Sequence, residues 1–341
     1  MSNGEIWIAS FMAPPRESGP SDLEALSLRG DLRIMPLQLD IRGLLEDLPG
    51  LGVVDCTTGN AGVVCTRREA VRTVLPMAEG TTLLGDPGGL RWLEASWRHS
   101  AAVLSRGDDF TDTPPCLLFF GETGRLAHQI TLPDPAAWDA FADLVRRHHG
   151  CWNCLHPRAE GPDAPASPDC PIWLLRDAWC GSASDRDLDI RLRALGLDRL
   201  LALRALEGLY TTPIPVADLA SLLEGLADSG LPVHAQIGNR HCTQVLEAPI
   251  DGLTFAPGSW TLRIAGATLR ITPSSLASVW SVVQPRPGGE RHRFECYDPR
   301  GQAVLAFSSP QDPCPLVPAG CQRARGPRDG GLGPGGPREA P

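Results

Sequence analysis

Apolar positions along the chain recur at two spacings, and each spacing predicts a different element. Cys116–Phe120 and Leu126–Leu132 are short apolar runs separated by Gly121-Glu-Thr-Gly124, the signature of two strands in a hairpin. Asp134-Pro135 then supplies a helix cap and first residue, with Trp138, Phe141, Leu144 and Val145 at helical spacing behind it. Leu90, Leu93, Trp97, Ala101 and Leu104 step by three and four, which predicts an amphipathic helix over 90–104. Asp40 caps a short helix carrying Leu44, Leu45 and Leu48. In the second half Asp198 caps a helix to about Glu207, and Asp218 one to about Leu226. Strands follow near 232–237, 242–247, 259–264, 267–271, 279–284, 292–297 and 303–307. Helices followed by runs of antiparallel-looking strands, without strand–helix–strand alternation, define the fold class as α+β.

The pattern also repeats. Asp40-Ile-Arg-Gly-Leu-Leu-Glu-Asp-Leu48 parallels Asp218-Leu-Ala-Ser-Leu-Leu-Glu-Gly-Leu226, Leu93-Glu-Ala-Ser-Trp97 parallels Leu276-Ala-Ser-Val-Trp280, and Phe119–Gly124 parallels Cys296–Gly301. The offsets are 178, 183 and 177 residues, in the same order, so the chain reads as a tandem duplication in which each half is a helical segment plus an antiparallel sheet. The expected organisation is an N-terminal extension at 1–37, a first repeat at 38–150, a Pro-rich linker at 151–174, a second repeat at 175–310 and a tail at 311–341. The tail is rich in Pro and Gly and is expected to be disordered.

Charge and composition narrow the partners. The formal net charge is −9 and no basic run is present, which argues against nucleic acid. No apolar run approaches the ~18 residues of a membrane-spanning helix, so no membrane insertion is expected. Eleven cysteines without a signal-like start lead to the expectation of a cytoplasmic protein with reduced thiols. Every one of the 31 basic side chains is Arg, so any anion site must be built from guanidinium forks, which suit carboxylates and phosphates.

Cys151-Trp-Asn-Cys154-Leu-His156 carries half of a zinc-ligand set, with Cys170 and Cys180 as candidates for the remainder. Leu155 intervenes where covalent haem attachment needs a His, and Pro157 argues against a redox pair. The chain has no dinucleotide or phosphate loop, no nucleophile elbow and no His-Glu-x-x-His. Spacing alone therefore yields a duplicated α+β protein without an activity.

One set of residues adds to this. Gln236-Ile-Gly-Asn-Arg-His-Cys-Thr-Gln244 resembles the segment ending Gly-Asn-Arg-Gly-Cys-x-Gln in cytoplasmic haem-handling proteins of the HemS/HmuS type. Ala277–Trp280, Gln284-Pro285 and Phe294–Gly301 are similar to the same family's second half. Thr66–Val71, Gly89-Leu-Arg91 with Trp97, and Leu117–Phe120 through His128 are similar to its first. The resemblance implies duplicated α+β domains that bind haem between the halves, in haem trafficking or haem degradation. It also implies haem as cargo and, as partners, a haem importer or a haem oxygenase.

Carried over by position, the resemblance assigns Arg91 and Arg199 to the haem propionates, each at the start of a helix. It places Arg186 where the family has its axial His, Gln284 where a basic residue is expected, and Ala306, Ser308 and Gln311 where Gln, Tyr and Arg stand. Arg cannot coordinate iron, so Cys180, His241 and His99 are the remaining candidates for it. The expectation is a protein that binds and traffics haem with the axial His replaced. The alternatives are a haem-degrading enzyme, for which no ligand is evident, and a scaffold that has lost the pocket and holds zinc at Cys151, Cys154 and His156.

Overall fold

The computed structural model describes residues 21–38, 40–72, 74–77, 81–84, 90–93, 96–105, 114–151, 170–286 and 289–309. They form two nine-stranded sheets, antiparallel throughout. From the first half come β1 (Leu32–Pro36), β2 (Val53–Gly59), β3 (Val63–Ala70), β4 (Val74–Met77), β5 (Thr81–Leu84), β6 (Leu90–Leu93), β7 (Trp97–Ser105), β8 (Cys116–Gly121) and β9 (Leu126–Thr131). From the second come β10 (Thr211–Ile214), β11 (Val233–Gly238), β12 (Cys242–Ala248), β13 (Ile250–Ala256), β14 (Ser259–Ile264), β15 (Ala267–Ile271), β16 (Ser278–Arg286), β17 (Gly289–Tyr297) and β18 (Ala303–Ser308). The strand orders are β1-β7-β8-β9-β2-β3-β15-β14-β13 and β10-β16-β17-β18-β11-β12-β6-β5-β4. Each sheet thus takes six strands from one half and three from the other, and the two orders are the same under exchange of halves.

Helices cover these sheets. Ile41–Asp47 and Trp138–Arg147 bury Leu44, Leu45, Phe141 and Leu144 against Cys56, Leu117 and Ile130. Asp22–Ser27 lays Leu23 and Leu26 on the opposite face, over Ala101, Val103, Leu118 and Phe120. In the second half Leu219–Asp228 packs Leu219, Leu223 and Leu226 on Val233, Ala235 and Ile237, the inward positions of alternating β11. Helices Ile172–Gly181, Asp185–Ala194 and Arg199–Ala205 pack Leu175, Trp179, Leu188, Leu192 and Leu203 on Trp280, Val282 and Tyr297.

The helix expected over 90–104 is replaced by β6 and β7, so Arg91 and His99 lie on strands. The cause is burial on both faces: Trp97 and Ala102 enter one core while Ala101 and Val103 enter another, which removes the apolar–polar alternation of a half-exposed strand. The stretch 1–37, expected as an extension, contributes helix Asp22–Ser27 and β1, which pairs with β7 and belongs to the first sheet. Helix Ile172–Gly181 begins inside the expected linker, most of which lies outside the described residues, as does the tail. Asp40, Asp134 and Asp198 make the capping bonds expected of them. Asp218 does not, because a 3-10 turn at Val216–Asp218 leads into its helix.

Two asparagines join the halves. Asn60, in the β2–β3 turn, donates to the carbonyls of Gly238 (2.8 Å) and Val304 (2.7 Å) and accepts from the amides of Gly62 and Val63. Asn239, in the β11–β12 turn, donates to Gly59 (2.9 Å) and Ala127 (2.8 Å) and accepts from His241 and Cys242. Each carboxamide thus fixes its own turn with its oxygen and grips the other half with its nitrogen. Close approach is required: a Cβ at Gly238 would come within 2.6 Å of the Cys242 carbonyl. Asn239→Ala strands two carbonyls and two amides, and at ~1–3 kcal/mol for each buried group left unpaired, the net loss should be at least ~2 kcal/mol. Urea unfolding should show that loss, and Asn239→Asp, which has no donors to offer the carbonyls, should do no better.

Candidate functional site

Both asparagines line a cavity of about 540 Å³ walled mainly by second-half helices and strands and completed by first-half residues, among them Asp22, Asn60 and Arg125. Asp185 and Asp189, one turn apart on helix Asp185–Ala194, reach it from above. Arg199, the first residue of helix Arg199–Ala205, enters from the side, its guanidinium 5.8 Å from the centre of the Trp179 ring. Arg293 and Glu295 rise from β17, where a period of two places Arg291, Arg293, Glu295 and Tyr297 on one face.

These side chains form one ionic knot. Arg199 donates to Glu295 through Nε and Nη2 at 2.7–3.1 Å, and Tyr297 donates its hydroxyl to Glu295 at 2.5 Å. Arg293 Nε lies 2.9 Å from Glu295, and its Nη1 lies 2.8 Å from Asp185. Asp185 also meets Arg291 at 2.9 Å, Arg286 at 3.5 Å and Arg199 at 4.0 Å. Arg199 Nη1 faces Asp189 at 3.5 Å. Burial alone would raise the Glu295 carboxyl, but Arg199 and Arg293 outweigh it and bring its pKa down to about 2. The same contest at Asp185, settled by Arg293, Arg199, Arg291 and Arg286, holds that carboxyl well below the usual range. At Asp189 burial wins over Arg199 and the pKa rises.

The positions singled out in the sequence scatter. Arg199 is in the cavity, already engaged by Glu295. Arg91 sits on β6 in register with Thr243, a cavity-lining residue of β12. Arg186, at the position expected for the axial ligand, is exposed; the residues of its helix that border the cavity are Asp185 and Asp189. Of the iron-ligand candidates only His241 borders the cavity among the described residues. Its ring lies against Gly121, where a Cβ would approach within 2.3 Å, and Trp97 donates to its carbonyl at 3.0 Å. Burial and the neighbouring Arg240 bring its pKa down to about 4, so the imidazole is neutral at physiological pH.

The other candidates lie elsewhere. His99 is buried in β7, and Cys180 is exposed at the end of its helix, 3.4 Å from the Tyr210 hydroxyl. Cys151 is exposed, while Cys154 and His156 lie outside the described residues. Zinc therefore finds no support, since among the described residues no three His, Cys, Asp or Glu side chains converge as a metal site. Gln284 is fully buried between Trp179 and Arg286, Ala306 lines the cavity, and Gln311 falls outside the described residues. Asn60, Asp185, Arg293 and Glu295 were not singled out. The signal for the last two was the alternation Arg291-His-Arg293-Phe-Glu295 in a predicted strand.

Fold and cleft together define a duplicated α+β protein with strands exchanged between its halves and a carboxylate-and-guanidinium cleft lined by residues of both. The chain belongs to the haemin-degrading HemS.ChuX domain family, whose model matches residues 19–148 and 196–313. No curated protein matches it. Among solved structures it is similar to holo-PhuS, a heme-binding protein from Pseudomonas aeruginosa, with 25% identity over 86% of each chain and a TM-score of 0.77. It also shares its fold with ChuS, a heme degrading enzyme of Escherichia coli O157:H7, at 17% identity over 82% of this chain and 81% of that one, with a TM-score of 0.72.

The knot carries a prediction of its own. Glu295→Gln leaves Arg199 and Arg293 without their buried partner, and breaking such a pair costs about 3–5 kcal/mol. Because the folded carboxyl titrates at about 2 and an unperturbed one near 4.5, its contribution is complete above pH 4.5 and lost as pH falls towards 2. Denaturant unfolding of wild type and variant should therefore differ most at neutral pH, and the gap should close across that acid window.

Proposed function

We propose that this chain binds haem in the cleft between helix Asp185–Ala194 and the second sheet, and serves haem trafficking rather than haem degradation. The observation that carries the reading is the cavity itself. It has the volume class of a small-molecule site, is lined by residues of both halves, and offers guanidinium groups to a ligand with two carboxylates. Family membership and the likeness to a heme-binding protein of known structure support the same cargo.

In this reading Arg199 and Arg91 hold the two propionates. Arg199 keeps its Nη1 edge turned towards Asp189, away from the bidentate contact with Glu295. The residues fit the carboxylate end of haem better than its iron, because the helix turns carboxylates, not an imidazole, into the cleft. That departure is why degradation, which needs a neutral ligand on the iron, is the weaker reading. His241 is the imidazole nearest to supplying one.

Adding haemin to the purified protein should give a saturable Soret shift, and Arg91→Ala should weaken it about tenfold, the loss of ~1.4 kcal/mol expected from one charge-assisted contact. Absorbance that rises linearly with haemin and ignores the substitution would remove haem as the cargo.

A further inference from the structure

The ionic knot holds more cation than it needs. Four guanidinium groups, from Arg199, Arg286, Arg291 and Arg293, lie within 4.0 Å of the single carboxylate of Asp185. Glu295 answers two of them and Asp189 touches one from the rim, so four cations face three anions. Mutual crowding shows at Arg286: burial and then its three Arg neighbours lower its pKa, against the pull of Asp185.

Geometry is also incomplete. Arg293 is 93% buried, with only 7% of its side chain exposed, yet its Nε and Nη1 make no hydrogen bond, only ion-pair contacts of 2.9 and 2.8 Å. Asp185 Oδ1 is likewise buried without one. Asp185 accepts a hydrogen bond from Arg291 but, fixed to its helix, meets Arg293 Nη1 without making one, so that edge of the planar fork stays unfilled. A carboxylate free to turn can satisfy what Asp185 cannot.

We propose that Arg199, Arg286, Arg291 and Arg293 form a carboxylate-binding subsite of the cleft, that Asp185 fills it from within the chain, and that one carboxylate of an incoming tetrapyrrole displaces Asp185. The proposal rests on the haem reading above and adds how the cargo is admitted. Exchange of one carboxylate for another leaves the charge of the knot unchanged, so the large desolvation cost of the buried arginines is met once, on folding, and not again on binding. Displaced, Asp185 gives up its contacts with Arg286 on β16 and with Arg291 and Arg293 on β17, which loosens the first turn of helix Asp185–Ala194, the cleft's upper wall, while Arg286 still holds the Ser182 carbonyl before it.

The test compares full-length wild type with Asp185→Ala. The variant should melt at a lower temperature because four guanidinium groups lose their shared anion. Sodium formate should recover part of that loss relative to sodium chloride at equal ionic strength, and should do nothing comparable for wild type. Metal-free protoporphyrin IX, followed by its fluorescence, should bind the variant at least tenfold more tightly than wild type, whereas its dimethyl ester should gain nothing. Absence of a formate-specific recovery overturns the proposal and leaves Asp185 as a structural latch. Recovery by formate without any gain for protoporphyrin IX overturns the tetrapyrrole and assigns the subsite to a small free carboxylate. Should Asp185→Ala not fold, Asp185→Asn gives the same readouts. The formate measurement needs no haem, so a failed haemin titration of wild type and a failed subsite are separate results.

Discussion

The reciprocal grip of Asn60 and Asn239 is the interaction on which the rest of the molecule depends. A carboxamide has two acceptor sites and two donors, and in each turn all four are used: the oxygen closes the chain's own hairpin and the nitrogen takes two carbonyls across the boundary. A hydroxyl lacks the donors and a carboxylate has none. The pair fixes the spacing between β2 and β11, and that spacing lets β3 accept β15 and β12 accept β6 in register. From there the exchange of three strands follows, and with it the closed floor of the cleft.

Above that floor the cleft is lined by carboxylates and guanidinium groups whose charges answer one another. Burial works against the Glu295 and Asp185 carboxylates, and the low pKa of Glu295 follows from the arginines beside it. On the haem reading proposed above, the carboxylates of the ligand are what the knot would recognise.

Much of the second half was legible in the sequence because its strands are half-buried. In β11, Val233, Ala235 and Ile237 alternate with more exposed residues, and the period survives. In the first half the β8–β9 hairpin was legible from its turn, but β7 was not: it is covered on both sides, and a run of Trp97, Ala101 and Leu104 mimics a helical stripe. Duplication was visible through Asp40 and Asp218, whereas the turn at Gly59-Asn60, the mate of Gly238-Asn239, carries too short a signature to be noticed alone. Strand exchange leaves no periodic trace at all, since β4–β6 read the same whichever sheet they join. Arg199 was found by position. Its partner Glu295 lies 96 residues away, and only the fold brings them within hydrogen-bond distance.

Exchanged strands also impose an order on synthesis. A ribosome delivers β4, β5 and β6 before β12, the strand they must join, exists, and β3 waits with an open edge for β15. Nascent chain therefore emerges with unpaired backbone at two places: the first sheet cannot close until β15 has been translated, nor the second until β18 has. Open edges of this kind invite pairing between neighbouring chains until the second-half strands arrive to cover them.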